Sequence, residues 1–269
     1  QQNIKDKYNV DYVYPPDGLD IVETKTFDEN YMGVEEIYQK ICGALYQNEH
    51  KWQVENGIIF KGSRYAEGLD RLLYRCPKCG SEFEMSSSGS HLKCNRCGND
   101  VVYGYDGRLV PQGDGVCPER IDLWYDEQRA LVAKEVQNGD FKLSNTVNLF
   151  VENELNNGYR FVANGVLTLD KDKLCFDTDW QERPVGVKSK YGVNNMSLDF
   201  DTANGTEKVE DEFKHVEFAV SRCDTVANLP GSAVDMYDDK HVYRFMFDKV
   251  MAATKYALCI EEAYKLGKK

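Results

Sequence analysis

Positive charge is scarce in this sequence. It carries 33 Lys and Arg against 45 Asp and Glu, a formal net charge of −12. Phosphate affinity is built from Lys and Arg, so such a chain repels nucleic acid on average. Long apolar runs are missing too. No stretch approaches the roughly 18 residues of a membrane-spanning helix, and the mean hydropathy is −0.58. The opening, Gln1-Gln2-Asn3-Ile4-Lys5-Asp6-Lys7, has no apolar core of the kind a secretory leader needs. It also has no methionine, which makes a piece of a longer protein the expectation. A glycine-rich phosphate loop ending in lysine is absent. Histidine is limited to four residues, none spaced from a cysteine as thiol catalysis requires.

Cysteine, by contrast, is plentiful. Nine is an odd number, and five of them are scattered at 42, 117, 175, 223 and 259. That pattern suits a reducing cytoplasm better than a disulfide scaffold. The other four form two hooks, Cys76-Pro77-Lys78-Cys79-Gly80 and Cys94-Asn95-Arg96-Cys97-Gly98, separated by 14 residues. This is close to the spacing of structural zinc sites. Two thiolates three positions apart reach one ion only if the chain reverses tightly behind them, and Gly80 and Gly98 allow the positive φ this demands. The alternatives are four unrelated thiols or two disulfides. Zinc in a closed four-sulfur shell is the expectation, with Cys76, Cys79, Cys94 and Cys97 as ligands; four thiolates also accept iron. His91 is a rival ligand only if a cysteine drops out.

The residues between the hooks predict a small ribbon. Ser81 to Met85 alternates as a strand does, Ser86 to Ser90 reads as a turn, and His91 to Lys93 returns to the second hook. Val101 to Tyr103 offers a third strand, closed by Tyr105-Asp106-Gly107. A ribbon of this size has too little core to fold without its metal. From Arg64 to Arg108 there are seven basic and six acidic residues, so no basic stripe marks it as a nucleic-acid reader.

Four segments follow, in an α+β class. Residues 1–62 predict an irregular segment plus an amphipathic helix. Val10 to Tyr14 reads as a strand and Pro15-Pro16-Asp17-Gly18 as a turn. The helix begins at Gly33, with Val34, Ile37, Tyr38, Ile41, Leu45 and Trp52 on one face, and stops at Asn56-Gly57. Residues 63–110 hold the zinc ribbon. Residues 111–140 hold a linking helix over 118–138, with Pro118 at its first position, Ile121, Trp124, Tyr125, Leu131 and Val136 buried, and Gly139 as its end.

Residues 141–269 change to a strand period. Strands are predicted at 146–151, 158–163, 165–169, 173–176, 213–220, 233–237 and 242–247, with turns at Asp170-Lys171-Asp172 and Asp238-Asp239-Lys240. A last helix covers 248–266, with Val250, Ala253, Ala257, Ile260 and Tyr264 buried and Met251, Lys255, Leu258 and Glu262 opposite. Seven strands and a helix are similar to a pleckstrin-homology or GRAM-type antiparallel β-barrel, in which the helix plugs one open end. Asp199-Phe200-Asp201-Thr202 is no phosphoryl-transfer motif, because no apolar strand precedes it. It fails as a calcium loop too, since Ala203 takes a ligand position. The run Glu210-Asp211-Glu212 reads as a solvated face.

The stretch Arg64-Tyr65-Ala66-Glu67-Gly68-Leu69-Asp70-Arg71-Leu72-Leu73-Tyr74-Arg75, running into Cys76-Pro77, resembles long bacterial 1-acylglycerol-3-phosphate acyltransferase-like proteins. These carry a zinc ribbon and further C-terminal sequence behind a catalytic domain. Asp122, Trp124, Tyr125, Arg129, Lys134 and Glu135 resemble the helix that follows their ribbon. The resemblance covers residues 34 to 140 and implies glycerolipid acyl transfer by a histidine followed five positions later by aspartate. Here the fifth residues after His50, His91, His215 and His241 are Glu55, Arg96, Val220 and Met246. The resemblance therefore covers only what lies behind the catalytic domain, and no catalytic residue is expected in this chain.

Three readings follow from this. One is a non-catalytic docking region whose partners are an upstream acyltransferase domain, another protein, or a membrane surface at the inner face. Arg183, Lys188 and Lys190 are the one basic cluster of the barrel and its candidate head-group site. Another is part of an active acyltransferase whose catalytic half lies upstream. The last, a nucleic-acid-binding ribbon, is disfavoured by charge.

Overall fold

The computed structural model describes residues 33–139, 141–153, 158–191, 196–248 and 250–268; the strand and turn predicted at 10–14 and 15–18 lie outside them. The chain falls into two units, 1–48 and 49–269. In the first, α1 (Val34–Leu45) forms as predicted, with Glu35 and Glu36 in its first turn, where a carboxylate complements the helix dipole. None of its residues is buried. The predicted single helix is in fact broken. Tyr46 turns extended, with ψ 117°, and α2 (Glu49–Glu55) starts afresh. Leu45 and Trp52 are seven residues apart, a spacing that fits a continuous stripe and two separate helices equally well, so periodicity missed the break.

In the second unit, the single turn α3 (Leu69–Leu72) leads into a four-stranded antiparallel sheet of β1 (Met85–Ser88), β2 (His91–Cys94), β3 (Asp100–Tyr103) and β4 (Leu109–Pro111), in that order. The strand expected at 81–85 starts only at Met85. Phe83 has φ 60°, a left-handed value that no strand accommodates, so extended pairing begins after it. The serines expected to turn are instead paired, Ser88 opposite His91, and the turn is Gly89-Ser90. β4 was not predicted.

The linking helix is α4 (Ile121–Gln137). Pro118 lies before it, not at its first position, and Gly139 ends it with φ 76°. Its buried residues are Ile121, Trp124, Gln128, Val132 and Val136. Leu131 is exposed because the buried stripe steps by four after Trp124, which selects Gln128 and Val132.

Eleven strands follow: β5 (Leu143–Asn153), β6 (Gly158–Leu169), β7 (Lys173–Asp177), β8 (Glu182–Pro184), β9 (Lys188–Tyr191), β10 (Met196–Asp199), β11 (Thr206–Lys208), β12 (His215–Ala219), β13 (Ala227–Leu229), β14 (Ala233–Tyr237) and β15 (Val242–Phe247). Seven of them form one antiparallel sheet ordered β12-β7-β6-β5-β15-β14-β13. No pairing joins its two edges among the described residues, so the sheet is a curled half-barrel, not a closed barrel. The two strands predicted over 158–169 are one strand, whose pairing with β5 slips at Leu149/Phe150. Such a bulge bends a strand and increases the curl of the sheet. The turn at Asp170 is as predicted, its carboxylate accepting from the Asp172 and Lys173 amides at 2.9 and 3.0 Å. Asp199 to Thr202, set aside above as a motif, forms the end of β10 and a 3-10 turn.

α5 (Ala253–Gly267) closes the unit. Every residue from Ala253 to Ile260 is buried, including Lys255 and Leu258, which were expected on an open side. The helix is sandwiched: Tyr256 and Ile260 join the inner apolar face of the half-barrel with Phe176, Leu167 and Phe245, while Arg129 of α4 grips Glu261 and Glu262 at 2.6 and 2.7 Å. A second, smaller core lies under the ribbon, made of Ala66, Leu73, Met85, Leu92, Val101, Leu109, Ile121 and Trp124 around Cys76 and Cys94.

Candidate metal centre

Both hooks fold in the same way. The Gly80 amide donates to the Cys76 carbonyl and the Gly98 amide to the Cys94 carbonyl, each at 2.9 Å. The Cys76 and Cys94 amides donate onward to the Ser81 and Asn99 carbonyls at 2.9 and 2.8 Å. Gly80 and Gly98 sit at φ 71° and 72°, as the spacing predicted. The sequence thus builds one knuckle twice, and the sheet sets the two face to face through the Met85–Cys94 pair.

The four sulfurs converge. Cys76 and Cys97 sulfurs lie 3.7 Å apart and those of Cys79 and Cys94 3.9 Å apart, and all four lie within 4.8 Å of one another. A disulfide needs about 2.05 Å, so the two-disulfide alternative is excluded, and all nine cysteines are free. A tetrahedral ion with metal–sulfur bonds of about 2.3 Å places its sulfurs about 3.8 Å apart. The residues fit such an ion, and Cys76, Cys79, Cys94 and Cys97 could hold a metal such as zinc. His91 is elsewhere, exposed and paired with Asp100 at 2.9 Å.

The surroundings tune the thiols unequally. Burial pushes Cys76 up to about 12. The Ser81 hydroxyl, helped by the Ser81 amide, brings Cys79 down to about 6. Burial also opposes ionisation of Cys94, but the same hydroxyl and the Cys97 and Arg96 amides outweigh it and lower that thiol. Ser81 is itself buried, 3.0 Å from the Cys79 sulfur and 3.4 Å from that of Cys94. An O–H donor aimed at ligand sulfur is the kind of outer contact that orients and stabilises a metal site. The signal that Ser81 carries in the sequence is its place directly after the hook glycine.

The centre is anchored to the rest of the unit by two groups of side chains. The Trp124 indole donates to the Arg75 carbonyl at 3.0 Å. Gln128 accepts from the Arg75 amide and donates to the Leu72 carbonyl at 3.2 and 3.0 Å. α4 therefore grips the segment that enters the first hook. Beyond it Glu82, set just after that hook, meets Arg75 at 3.1 Å and Lys255 of α5 at 2.7 Å, while Glu135 of α4 meets the same two cations at 3.0 Å each. Lys255 is 7% exposed. Burial works against its charge, but Glu82 and Glu135 outweigh that and raise its pKa. Two cations and two carboxylates thus join ribbon, α4 and α5.

Of the predicted lipid-binding residues, the side chain of Arg183 alone is described. Arg183 is buried, donating to the Phe161 carbonyl at 2.9 Å and paired with Glu207. Its Nε is buried without a hydrogen-bond partner, 3.9 Å from Glu210, and burial with Arg160 nearby lowers its pKa, an interior placement that the sequence could not show. Lys188 and Lys190 lie on β9, and their side chains are outside the described residues. Glu210 is less solvated than expected, pairing with Arg160 at 2.8 Å.

No helix among the described residues is long and apolar enough to cross a membrane. No model of a known protein family matches the chain, and no curated protein matches it either.

Proposed function

We propose that this chain is a non-catalytic docking region in which a structural zinc site clips a ribbon onto a half-barrel of pleckstrin-homology or GRAM type. The parent protein is, on this reading, a bacterial glycerolipid acyltransferase whose histidine–aspartate pair lies upstream, in the cytoplasm or at the inner membrane face. The observation that carries it is the four-charge lock of Glu82, Glu135, Arg75 and Lys255. It commits the segment entering the ribbon to the body of the protein and neutralises cations that nucleic-acid binding would need free. The apolar stripe of α1, with Val34, Tyr38, Ile41 and Leu45 exposed, supplies the kind of surface a protein partner covers.

The test has three arms. If the gene continues upstream of Gln1 into a domain with histidine and aspartate five positions apart, the two pieces made separately should bind each other. This chain alone, given acyl-CoA and 1-acylglycerol-3-phosphate, should transfer nothing. Acyl transfer by this chain would sink the non-catalytic reading. Salt-sensitive binding to anionic liposomes, lost in Lys188→Ala/Lys190→Ala, would replace protein docking with a membrane surface.

A further inference from the structure

A second cluster of metal-ligating atoms lies far along the chain from the ribbon hooks, on the half-barrel. β7 and β12 are paired with His215 opposite Asp177 and Glu217 opposite Cys175. Directly opposed residues of an antiparallel pair bring their Cβ atoms to about 5 Å, and the diagonal neighbour on the same face stays within reach. Cys175, Asp177 and His215 therefore converge by register alone. The Cys175 sulfur is 3.5 Å from Asp177 Oδ2 and 3.7 Å from His215 Nδ1, and that nitrogen is 2.7 Å from Asp177 Oδ1. Asp177 and His215 are exposed and Cys175 is buried beneath them. Lys173, the nearby cation, is engaged by Glu217 at 2.6 Å.

A cysteine, histidine and aspartate suggest a catalytic triad, but the geometry is wrong for one. A triad places nucleophile and carboxylate on opposite ring nitrogens, whereas here both meet Nδ1. Burial, with Asp177 beside it, also pushes the Cys175 thiol up to about 11, the reverse of an activated nucleophile. Three donors pointing at one small volume are what an ion requires. A tetrahedral zinc-class ion sets sulfur about 3.6 Å from its nitrogen and oxygen co-ligands, close to the 3.5 and 3.7 Å seen here. The ring nitrogen and carboxylate, now 2.7 Å apart, would part to about 3.4 Å, a small rotation for two exposed side chains.

We propose that Cys175, Asp177 and His215 form a second metal site, taking an exchangeable divalent transition ion of the zinc class. Binding balances in charge. The thiol gives its proton to solvent, the imidazole binds through Nδ1 with its proton on Nε2, and one thiolate and one carboxylate offset the two positive charges. Sulfur, nitrogen and oxygen donors together select zinc, cobalt or nickel over magnesium or calcium. Three protein ligands leave a coordination position open, as in sites that bind or activate a further ligand.

The test is a cobalt(II) titration of the full chain with its ribbon already loaded with zinc, counting ions and recording near-ultraviolet absorption. The expected result is a second ion per chain with the charge-transfer band of a single thiolate. Cys175→Ser should abolish that band. His215→Gln, an exposed position where folding is not at stake, should weaken the second ion at least about tenfold. One ion per chain, or a second ion indifferent to both substitutions, overturns the proposal.

Discussion

The ribbon and the half-barrel reach stability by opposite routes. The ribbon's core is a handful of side chains gathered round Cys76 and Cys94, while the half-barrel buries Phe176, Phe213, Phe245, Tyr256 and a full set of leucines and valines on one continuous face. Apolar burial contributes roughly 25 cal/mol per Å², so the second has a large reserve and the first does not. On the proposed reading metal coordination fills that gap, since a structural zinc contributes about 10–16 kcal/mol to the fold it organises. One region is specified by four atoms and the other by many.

That contrast can be broken at several points. The largest effect is expected at the ligands themselves: Cys76→Ser or Cys94→Ser should remove the ribbon's ion entirely, as metal content will show, with the half-barrel still folded. Next, Phe245→Ala should cost the half-barrel about 3–5 kcal/mol in denaturant unfolding while the ribbon keeps its ion. Lys255→Met probes the joint. It leaves Glu82 and Glu135 short of a partner and should cost about 1–3 kcal/mol in denaturant unfolding, with the ribbon keeping its ion. Ser81→Ala should weaken metal binding by about tenfold or more in a chelator competition, with no change in the half-barrel.

The smallest effect is acidic. Burial pushes the Glu262 carboxyl up, but Lys265 and Arg129 outweigh it and hold it below its usual 4.5. A depressed carboxylate contributes stability that is complete above the unfolded value and fades as pH falls through the folded one. The Arg129 clasp between α4 and α5 should therefore loosen only below about pH 4.5, and Arg129→Ala should remove that part of an acid titration.

The two regions were unequally legible in the sequence for the same reason. Cysteine at fixed spacing with glycine behind it is a local code, so Cys76, Cys79, Cys94, Cys97, Gly80 and Gly98 could be read directly. The half-barrel strands were readable as alternating runs, yet whether the sheet closes depends on pairing between distant edges, which no local pattern records. Polar anchors were hardest. Gln128, Glu82 and Lys255 look like surface residues until tertiary packing supplies their partners, and Arg183 looks like a free cation until Glu207 is placed beside it. The break at Tyr46 was invisible because both halves keep the same apolar stripe. The acyltransferase resemblance added a prospective parent protein, and its test lies upstream of Gln1.

On the proposed reading the ribbon needs an ion that the half-barrel does not. Hydrogen exchange read by mass spectrometry, before and after chelation, tests this directly. Amides of 76–111 should lose protection, while those of β5, β6, β7, β14 and β15 keep theirs. Unchanged protection across 76–111, or loss across both regions together, would contradict it.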